Sequence, residues 1–270
     1  DFCLSRGLGD VYKRQIAMRA FIFNSGRGSR LGTLTDDRPK ALVSLANGES
    51  LLARQLRLLN QVGVTEVVIS TGYRGEQIRK AVQPFAAQGM RFMFVDNPDY
   101  ATSNAIVSLD RAADCLRGQA VLMMHGDLVF DAAWLDKVMQ SSASDLAAVD
   151  ETTPLTDKDF KAQLKDGCIA AIGVDLFDHA CVNFMPFYKL SARALELWLD
   201  EVHAHCMRGE TAIYAETAAA PVLAEMHLQA LSYAGHLLAE VDTPEDLAWV
   251  NTEIQKYRND TIIERMKQYG

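Results

Sequence analysis

The chain has 270 residues, of which 49% are apolar, and this is enough for one large domain or two small ones. Its formal net charge of −8 at pH 7 disfavours a nucleic-acid-binding protein, because an acidic surface repels a polyanion. The five cysteines lack C-x-x-C spacing, and no apolar run approaches the roughly 20 residues of a membrane span. We therefore expect a cytoplasmic protein with no zinc site, no disulfide framework and no membrane insertion.

The first fifteen residues, DFCLSRGLGDVYKRQ, show no clean hydrophobic period and resemble translated sequencing-adapter sequence. We expect residues 1–16 to be a non-native leader that is disordered or loosely packed. Met18 would then be the natural start of a single domain that spans 18–270.

Strand and helix patterns alternate through the first half of the chain. Apolar or β-branched runs predict the strands, and apolar residues at helical spacing predict the helices. The predicted strands are 20–23, 64–70, 91–95 and 120–124, and the predicted helices are 51–59, 76–85, 104–116 and 131–140. Strands separated by helices imply a parallel sheet with helices on both faces.

The second half predicts an antiparallel part. Lys165-Asp166-Gly167 is typical of a hairpin turn between two strand-like runs. Further strands are predicted at 183–189 and 231–241, and further helices at 191–206, 216–225 and 244–270. The last helix would start with a capping threonine, a proline in the first turn and a capping box. The sequence therefore predicts one Rossmann-like, three-layer α/β domain with a mixed, mostly parallel sheet and a small antiparallel insertion.

The stretch FIFNSGRGSRLGTLTDDRPKAL, residues 21–42, combines bare backbone with fixed positive charge directly after a strand. Gly26 and Gly28 let backbone N–H groups approach a ligand closely, and consecutive N–H groups form an anion site. Arg30 and Lys40 can supply charge to phosphate oxygens. These features indicate that the loop holds a triphosphate.

Two other interpretations of the same loop remain open. Gly26-x-Gly28-x-x-x-Gly32 approaches a dinucleotide-binding fingerprint, but that motif needs a helix to start inside the glycine run, and Pro39 with its neighbours suits a long loop. A plain glycine-rich turn with solvated charges is the second. A Walker A loop is excluded because no Gly-Lys-Ser/Thr follows the glycines.

The segment GRGSRLGTLTDDRPK, residues 26–40, resembles the signature loop of the nucleotidyltransferases that activate sugar phosphates and related phosphate esters. Their pattern is G-x-G-x-R, a spacer, a threonine and P-K; Gly32-Thr33 stands where the family often has arginine-proline. The resemblance implies that Arg30 and Lys40 are catalytic and stabilise the charge on departing pyrophosphate. It also implies a nucleotide-binding set in this loop: Asn24, Ser25, Gly26, Arg27, Gly28 and Ser29.

Two further segments resemble a narrower branch, the bacterial phosphocholine cytidylyltransferases and their phosphonate-using relatives. They are TGYRGEQ at 71–77 and NPDYATSNAIVSL at 97–109. In that branch Tyr73, Ser103 and Asn104 would lie near the nucleotide base, and Asn104 is also placed to cap a helix. The resemblance implies a nucleotidyltransferase fold with a nucleotide-binding half at about 18–130 and an acceptor-binding half at about 131–250.

Two aspartates at predicted strand ends are candidate metal ligands. Asp127 follows VLMMHG and Asp242 follows LLAEV, and ligands of open α/β sheets bind outside the carboxyl ends of strands. Mg²⁺ prefers carboxylate oxygens. The plainer interpretations are a turn aspartate and an anion at a helix N-terminus. The resemblance matches both positions to the family's metal aspartates, through Gly126-Asp127 and through E-x-D-x-x-E-D-L at 240–247, and so implies a Mg²⁺ cofactor.

The acceptor pocket is predicted in the second half from Asn183, Tyr188, Tyr214 and Glu216. An aromatic face can hold a quaternary ammonium by cation–π attraction, and a carboxylate could assist. The alternative is that the aromatics of this strand belong to the core. The acceptor stays open among a phosphonate, an amino-alcohol phosphate, a phosphorylated amino acid and a polyol phosphate.

We therefore expect a Mg²⁺-dependent cytidylyltransferase that transfers CMP from CTP to a small phosphate or phosphonate, such as phosphocholine or 2-aminoethylphosphonate, for attachment to a cell-surface polymer or lipid. The alternatives are a sugar-1-phosphate nucleotidyltransferase using UTP or dTTP, a nucleotide-binding regulatory module without catalysis and, more distantly, an NAD(P)-dependent dehydrogenase. The polar C-terminal helix can pack on the domain itself or on a second subunit, so the sequence is compatible with a homodimer.

Overall fold

The computed structural model describes residues 18–157, 159–178 and 180–255. The strands are β1 (Met18–Asn24), β2 (Glu66–Thr71), β3 (Arg91–Asp96), β4 (Ala120–His125), β5 (Leu128–Phe130), β6 (Leu146–Asp150), β7 (Lys161–Lys165), β8 (Cys168–Gly173), β9 (Cys181–Leu190), β10 (Gln229–Ser232) and β11 (Leu238–Glu240). The helices are α1 (Leu51–Gln61), α2 (Gly75–Ala81), α3 (Gln83–Ala86), α4 (Ala105–Leu116), α5 (Ala132–Gln140), α6 (Ala192–Met207), α7 (Ala215–Ala219), α8 (Leu223–Met226) and α9 (244–255). The predicted leader, 1–16, and the end of the predicted C-terminal helix, 256–270, lie outside the described residues.

A nine-stranded mixed sheet has the order β3-β2-β1-β4-β9-β6-β10-β8-β7. Its first four strands are parallel, as predicted from the alternation of strands and helices in that half; Phe21 of β1, for example, pairs with Val68 of β2 and Met123 of β4. Beyond β4 the pairings are antiparallel, except for the parallel pair β6–β10. The predicted "mostly parallel" character therefore applies to the first four strands of the sheet and not to the whole of it.

The antiparallel part closes on itself. Successive pairings β9–β6, β6–β10, β10–β8, β8–β7 and β7–β9 form a ring of strands. The predicted hairpin joins β7 to β8, and its turn residues Asp166 and Gly167 have φ of 53° and 76°, as two-residue hairpin turns require. The predicted insertion is therefore a small closed set of strands that shares β6 and β9 with the main sheet.

Helices cover both faces of the sheet, which gives the three predicted layers. Phe21 and Met123 point to the face covered by α4 and α6, while Ile22 and Leu122 point to the face covered by α1 and α5. This alternation follows from the period of two along a strand. Within the described segments, no helix is long and apolar enough to cross a membrane.

Three predicted elements are each divided into two. Pro84 lies in the first turn of α3 and cannot donate the backbone hydrogen bond that would continue α2, and Pro221 separates α7 from α8 in the same way. The predicted strand 231–241 consists of β10, a turn with Gly235 at φ 80°, and β11. Because β11 pairs with β5 and β10 pairs with β6, the two halves of one apolar run enter different sheets.

The last helix begins as predicted. The backbone N–H of Asp246 donates to Thr243 Oγ1 (3.2 Å), and the N–H of Thr243 donates to Asp246 Oδ2 (2.8 Å). This reciprocal pair is a capping box, and it fixes the chain direction immediately after Asp242.

Candidate active site

A pocket of about 450 Å³ opens at the carboxyl ends of β1 and β4 and at the start of α4. The residues that line it come from the glycine-rich loop, from the segment before α4, and from the ends of β4 and β11. They are Phe23, Asn24, Ser25, Gly26, Gly28, Ser29, Arg30, Lys40, Ala41, Tyr100, Ser103, Asn104, Ala105, His125, Gly126, Asp127 and Asp242.

The glycine-rich loop is folded into short 3₁₀ turns. The first turn, Ser29–Thr35, is broken at Gly32 (φ 57°), and the side chain of buried Thr35 donates to the carbonyls of Gly28 (3.0 Å) and Gly32 (3.2 Å). No α-helix begins inside the described glycine run, and α1 starts only at Leu51. The arrangement that a dinucleotide fingerprint requires is therefore not formed.

Lys40 joins the loop to both predicted metal aspartates. Its Nζ lies 2.6 Å from Asp127 Oδ2 and also contacts Asp242 Oδ1, while Arg30 pairs with Asp242 Oδ2 at 2.8 Å. Burial disfavours the charge of Lys40, but Asp127 and Asp242 outweigh it and hold the pKa of Lys40 above its usual value. Burial opposes the charge of Asp127 as well, but Lys40 and His125 keep the pKa of that carboxyl below its usual value.

The two aspartates meet because of a short antiparallel ribbon. β5 pairs with β11 so that Leu128 lies opposite Glu240, and the backbone N–H of Val241 donates to the carbonyl of Asp127 (3.1 Å). This ribbon brings residues more than one hundred positions apart to one end of the sheet. It places Glu240 and Asp242 on either side of the hydrogen bond that holds Asp127.

Asp127 also belongs to a second group of possible metal ligands. One ligating atom from each of His125, Asp127 and Glu240 lies within 4.8 Å of the others. Burial, with added repulsion from Asp127 and Asp242, raises the pKa of Glu240 to about 8. His125 Nε2 and Asp127 Oδ1 are buried without a hydrogen-bond partner among the described residues. Two carboxyl groups and an imidazole in this arrangement could together bind a cation.

The other wall of the pocket is held by a polar network. Buried Asn97 donates to Ser108 Oγ (3.1 Å) and Ser103 Oγ (3.3 Å), and Ser108 Oγ lies 2.8 Å from Ser25 Oγ. Asn104 caps α4 as predicted, with its side chain accepting from the N–H of Ala105 (2.6 Å). Ser103 and Asn104 thus stand opposite the glycine-rich loop.

Most of the residues predicted to bind nucleotide or metal line this one pocket. Arg27 and Tyr73 do not line it. The Tyr73 hydroxyl donates to the carbonyl of Asp36 (2.7 Å), and the guanidinium of Arg27 lies 5.4 Å from the Tyr73 ring centroid. These two side chains brace the tip of the loop, so the structure does not support direct contact between Tyr73 and a base in this pocket. Tyr100 lines the pocket instead.

A second cavity, of about 510 Å³, adjoins the first through Asp242. Its walls are acidic and aromatic, and none of the described lining residues is a lysine or an arginine. The acidic members are Asp150, Asp159, Glu240, Asp242 and Asp246, and the aromatic members are Phe160, Phe184, Tyr233 and Trp249. A cavity with this lining attracts a cationic group.

The residues predicted to bind the acceptor do not lie together in one cavity. Asn183 lines the second cavity and donates to the carbonyls of Thr153 (2.7 Å) and Pro154 (3.3 Å). Tyr188 and Glu216 are buried, at 0% and 2% exposure, and the tyrosine hydroxyl donates to Glu216 Oε1 (2.9 Å). Tyr188 and Glu216 therefore line neither of the two cavities, and their contact with an acceptor stays a prediction. Tyr214 is exposed and packs edge-on against Phe160 without lining the cavity.

Replacing Tyr188 by phenylalanine is expected to lower the free energy of unfolding by about 2 kcal/mol, because Glu216 loses its hydrogen bond inside the core. The KM for an acceptor should not change, since the hydroxyl does not reach a cavity. Tyr214→Phe is the matched control: it removes an exposed hydroxyl and should change stability by less than about 0.5 kcal/mol. Urea denaturation measures both, and a raised acceptor KM with unchanged stability in Tyr188→Phe would support a direct role instead.

Gly126 is required for the close approach of β4 to β1. A Cβ atom at this position would lie 1.6 Å from Asn24 Oδ1, whereas one at Gly26 would meet no atom within 4 Å. Gly126→Ala is therefore expected to destabilise the protein by about 3 kcal/mol, and Gly26→Ala by less than about 0.5 kcal/mol. Equal denaturation midpoints for the two variants would show that the strand ends do not need this contact.

Three side chains with polar groups at this site lie outside the predicted set: His125 and Tyr100 line the first pocket, and Glu240 lines the second cavity. Each lies inside a segment that already carried the resemblance, within two or three residues of a predicted position. The available signal was therefore proximity to Asp127, Asp242 and Ser103.

The chain matches the sequence profile of the MobA-like NTP transferase domain over residues 20–243. It is 37% identical over 140 residues to the CMP-5'-(3-aminopropyl)phosphonate synthase of Streptomyces rubellomurinus, a match that covers 52% of this chain and 22% of that protein. It is 35% identical over 114 residues to the N-acetylmuramate alpha-1-phosphate uridylyltransferase of Neisseria meningitidis, covering 42% of this chain and 48% of that protein. The matches span less than half the length of these two relatives.

The fold is shared with a solved structure. The CTP:phosphocholine cytidylyltransferase of Streptococcus pneumoniae superimposes with a TM-score of 0.71 at 19% sequence identity, covering 88% of this chain and 99% of that one. At this identity the likeness shows the fold alone, an α/β fold with a mixed sheet.

Proposed function

Because the chain belongs to the MobA-like NTP transferase domain family, we propose that it is a cytidylyltransferase that transfers CMP from CTP to a small phosphate or phosphonate with a cationic end. The product set would be a CMP conjugate and pyrophosphate. Cytidine is favoured because two of the similar proteins, the phosphonate synthase and the phosphocholine enzyme, have names that include CMP or CTP.

One observation supports the proposed class of acceptor: a cavity that attracts cations adjoins a pocket that can bind anions. The second cavity has five carboxyl groups and four aromatic rings and no described basic residue, whereas Arg30 and Lys40 line the first pocket. An acceptor spanning both would place its ammonium group among the acidic and aromatic residues. Its phosphate or phosphonate would then lie toward Asp242 and the basic side chains.

The carboxylates of Asp127 and Asp242 are suitable ligands for a divalent cation such as Mg²⁺. Asp127 and Asp242 offer carboxylate oxygens, and Asp127 Oδ1 is buried and unpartnered among the described residues. A bound divalent cation would neutralise phosphate charge and orient the triphosphate. Asp127 and Asp242 would hold it, after Lys40 gives up its contacts to them.

The basic side chains then act on the phosphates. The side chain of Lys40 lies against Gly28 of the loop. A Cβ atom on Gly28 would lie 2.7 Å from Lys40 Cβ, so the glycine leaves space for the lysine side chain. On release from the aspartates, the ammonium group can pair with phosphate oxygens, and Arg30, exposed at the rim, can do the same. Fixed cations of this kind stabilise the charge that accumulates on the leaving pyrophosphate.

The transfer itself needs no protein nucleophile and no general base. An anionic oxygen of the acceptor attacks the α-phosphorus of CTP in line, and the new oxygen–phosphorus bond forms as the bond between the α-phosphorus and the bridging oxygen breaks. Pyrophosphate leaves with that electron pair. The contribution of the protein is to position two anionic reactants against each other and to stabilise the charge.

A pair of matched acceptors tests the role of the second cavity. 2-Aminoethylphosphonate and propylphosphonate have the same shape, but only the first carries an ammonium group. With CTP, we expect kcat/KM to be about thirty-fold higher for the amine, equivalent to about 2 kcal/mol of cation–π and ionic attraction. Equal values would show that the cavity does not select a cation. Phosphocholine against 3,3-dimethylbutyl phosphate repeats the comparison for a quaternary ammonium.

A sugar-1-phosphate nucleotidyltransferase is the second candidate, since the similar protein from Neisseria meningitidis is named a uridylyltransferase. This candidate predicts pyrophosphate release with UTP or dTTP and a sugar phosphate, and no benefit from an ammonium group. The matched-acceptor experiment, repeated with UTP, dTTP and glucose-1-phosphate, distinguishes the two.

A further inference from the structure

His125 is fixed at the end of β4, two residues before Asp127. Its ring packs edge-on against Phe23, with 5.1 Å between ring centroids, and its backbone carbonyl accepts from Gln55 Nε2 (3.0 Å). His125, Gly126 and Asp127 line the same pocket. The imidazole is therefore held in place beside the aspartate by contacts that need no ligand.

One ring nitrogen of His125 makes no hydrogen bond among the described residues. His125 Nε2 is buried without a hydrogen bond, and the nearest carboxylate oxygen, Glu216 Oε1, is 3.9 Å away and already accepts from the Tyr188 hydroxyl. Asp127 Oδ1 is also buried and unpartnered among the described residues. His125 and Asp127, two residues apart, therefore each bury a polar atom that lacks a partner among the described residues, and such atoms indicate a missing ligand.

The third member of the group adds a second carboxyl group. A ligating atom of Glu240 lies within 4.8 Å of one from His125 and one from Asp127, and β5–β11 pairing fixes the backbone of Glu240 opposite Leu128. Lys40 contacts the other oxygen of Asp127, Oδ2. This group can therefore receive a cation while Lys40 stays where it is, unlike the pair Asp127 and Asp242.

We propose that His125, Asp127 and Glu240 form a divalent-metal site with one nitrogen and two carboxylate donors. Mg²⁺ favours oxygen ligands only, whereas imidazole suits first-row transition ions, so the site should favour an ion such as Mn²⁺ or Co²⁺ over Mg²⁺. The inference goes beyond the proposed transfer, because metal binding is measured with neither nucleotide nor acceptor present.

Mn²⁺ is the probe, because its electron spin reports directly on a nitrogen ligand. The full chain is titrated with Mn²⁺ while the free ion is followed by electron paramagnetic resonance, and the bound ion is then examined by electron spin echo envelope modulation. We expect a bound Mn²⁺ with ¹⁴N modulation from one imidazole. In His125→Gln the modulation should disappear, and the affinity for Mn²⁺ relative to Mg²⁺ should fall about ten-fold.

Two controls keep the result unambiguous. His203→Gln removes an imidazole that pairs with Asp110 on the surface, and it should leave both affinity and modulation unchanged. Glu240→Gln should weaken Mn²⁺ binding and retain the ¹⁴N modulation. Wild-type protein that binds no Mn²⁺, or binds it without ¹⁴N modulation, would overturn the site whatever the variants do. Failure of the proposed transfer would leave these spectra unaffected, so the two proposals are separable.

Discussion

Replacing Asp127 by asparagine is expected to lower the kcat of metal-dependent pyrophosphate release by about a thousand-fold, equivalent to about 4 kcal/mol of lost charge stabilisation. Asp127 is the residue on which the site converges: it contacts Lys40, its backbone carbonyl accepts from Val241, and it belongs to both proposed donor sets. An amide keeps the shape and loses the charge, so the fold should remain intact. Steady-state pyrophosphate release with CTP and 2-aminoethylphosphonate gives kcat.

Asp136→Asn is the matched control, since Asp136 is an exposed aspartate on α5. It should leave kcat unchanged, and circular dichroism should show the same fold for both variants. Near-normal turnover in Asp127→Asn, with the fold preserved, would remove this carboxylate from the mechanism.

Replacing Lys40 by methionine is expected to lower kcat by about a hundred-fold or more, because the departing pyrophosphate loses a fixed cation. The same change should raise metal affinity in the absence of nucleotide. Lys40 Nζ contacts both Asp127 and Asp242, and without the ammonium group these carboxylates are left free to bind a metal ion. Turnover and metal binding are therefore expected to move in opposite directions, which a purely structural lysine would not produce.

Arg38→Met is the control for a lost cation in the same loop. Arg38 is exposed and pairs only with neighbouring Asp37 among the described residues, so its removal should change kcat by less than about two-fold. Isothermal titration with Mg²⁺ and with Mn²⁺ measures metal affinity for both variants. Weaker metal binding in Lys40→Met would contradict the arrangement.

Several turns and helix starts, and most of the pocket, were predictable because their determinants lie close together in the sequence. The helix cap at Asn104, the hairpin at Asp166-Gly167 and the capping box after Asp242 are decided by a few adjacent residues, and each is present. The glycine-rich loop was likewise recognisable from its own spacing. These features bring the pocket lining together once the strands are parallel.

The second half was less predictable, since long-range pairing decides it. β5 and β11 are each three residues long, and nothing in either sequence shows that they pair; yet this pairing brings Glu240 to Asp127. The side-chain direction of Tyr188 was also hidden. β9 lies inside the sheet and is buried on both faces, so it lacks the polar–apolar alternation that distinguishes a core position from a pocket position.

The most direct measurement is pyrophosphate release from CTP with and without 2-aminoethylphosphonate, combined with mass spectrometry of the product. The predicted result is release only in the presence of acceptor and divalent metal, with one CMP–phosphonate conjugate formed per pyrophosphate. Tight CTP binding with no release for any small phosphate or phosphonate acceptor would contradict the account and indicate a nucleotide-binding protein without transfer activity.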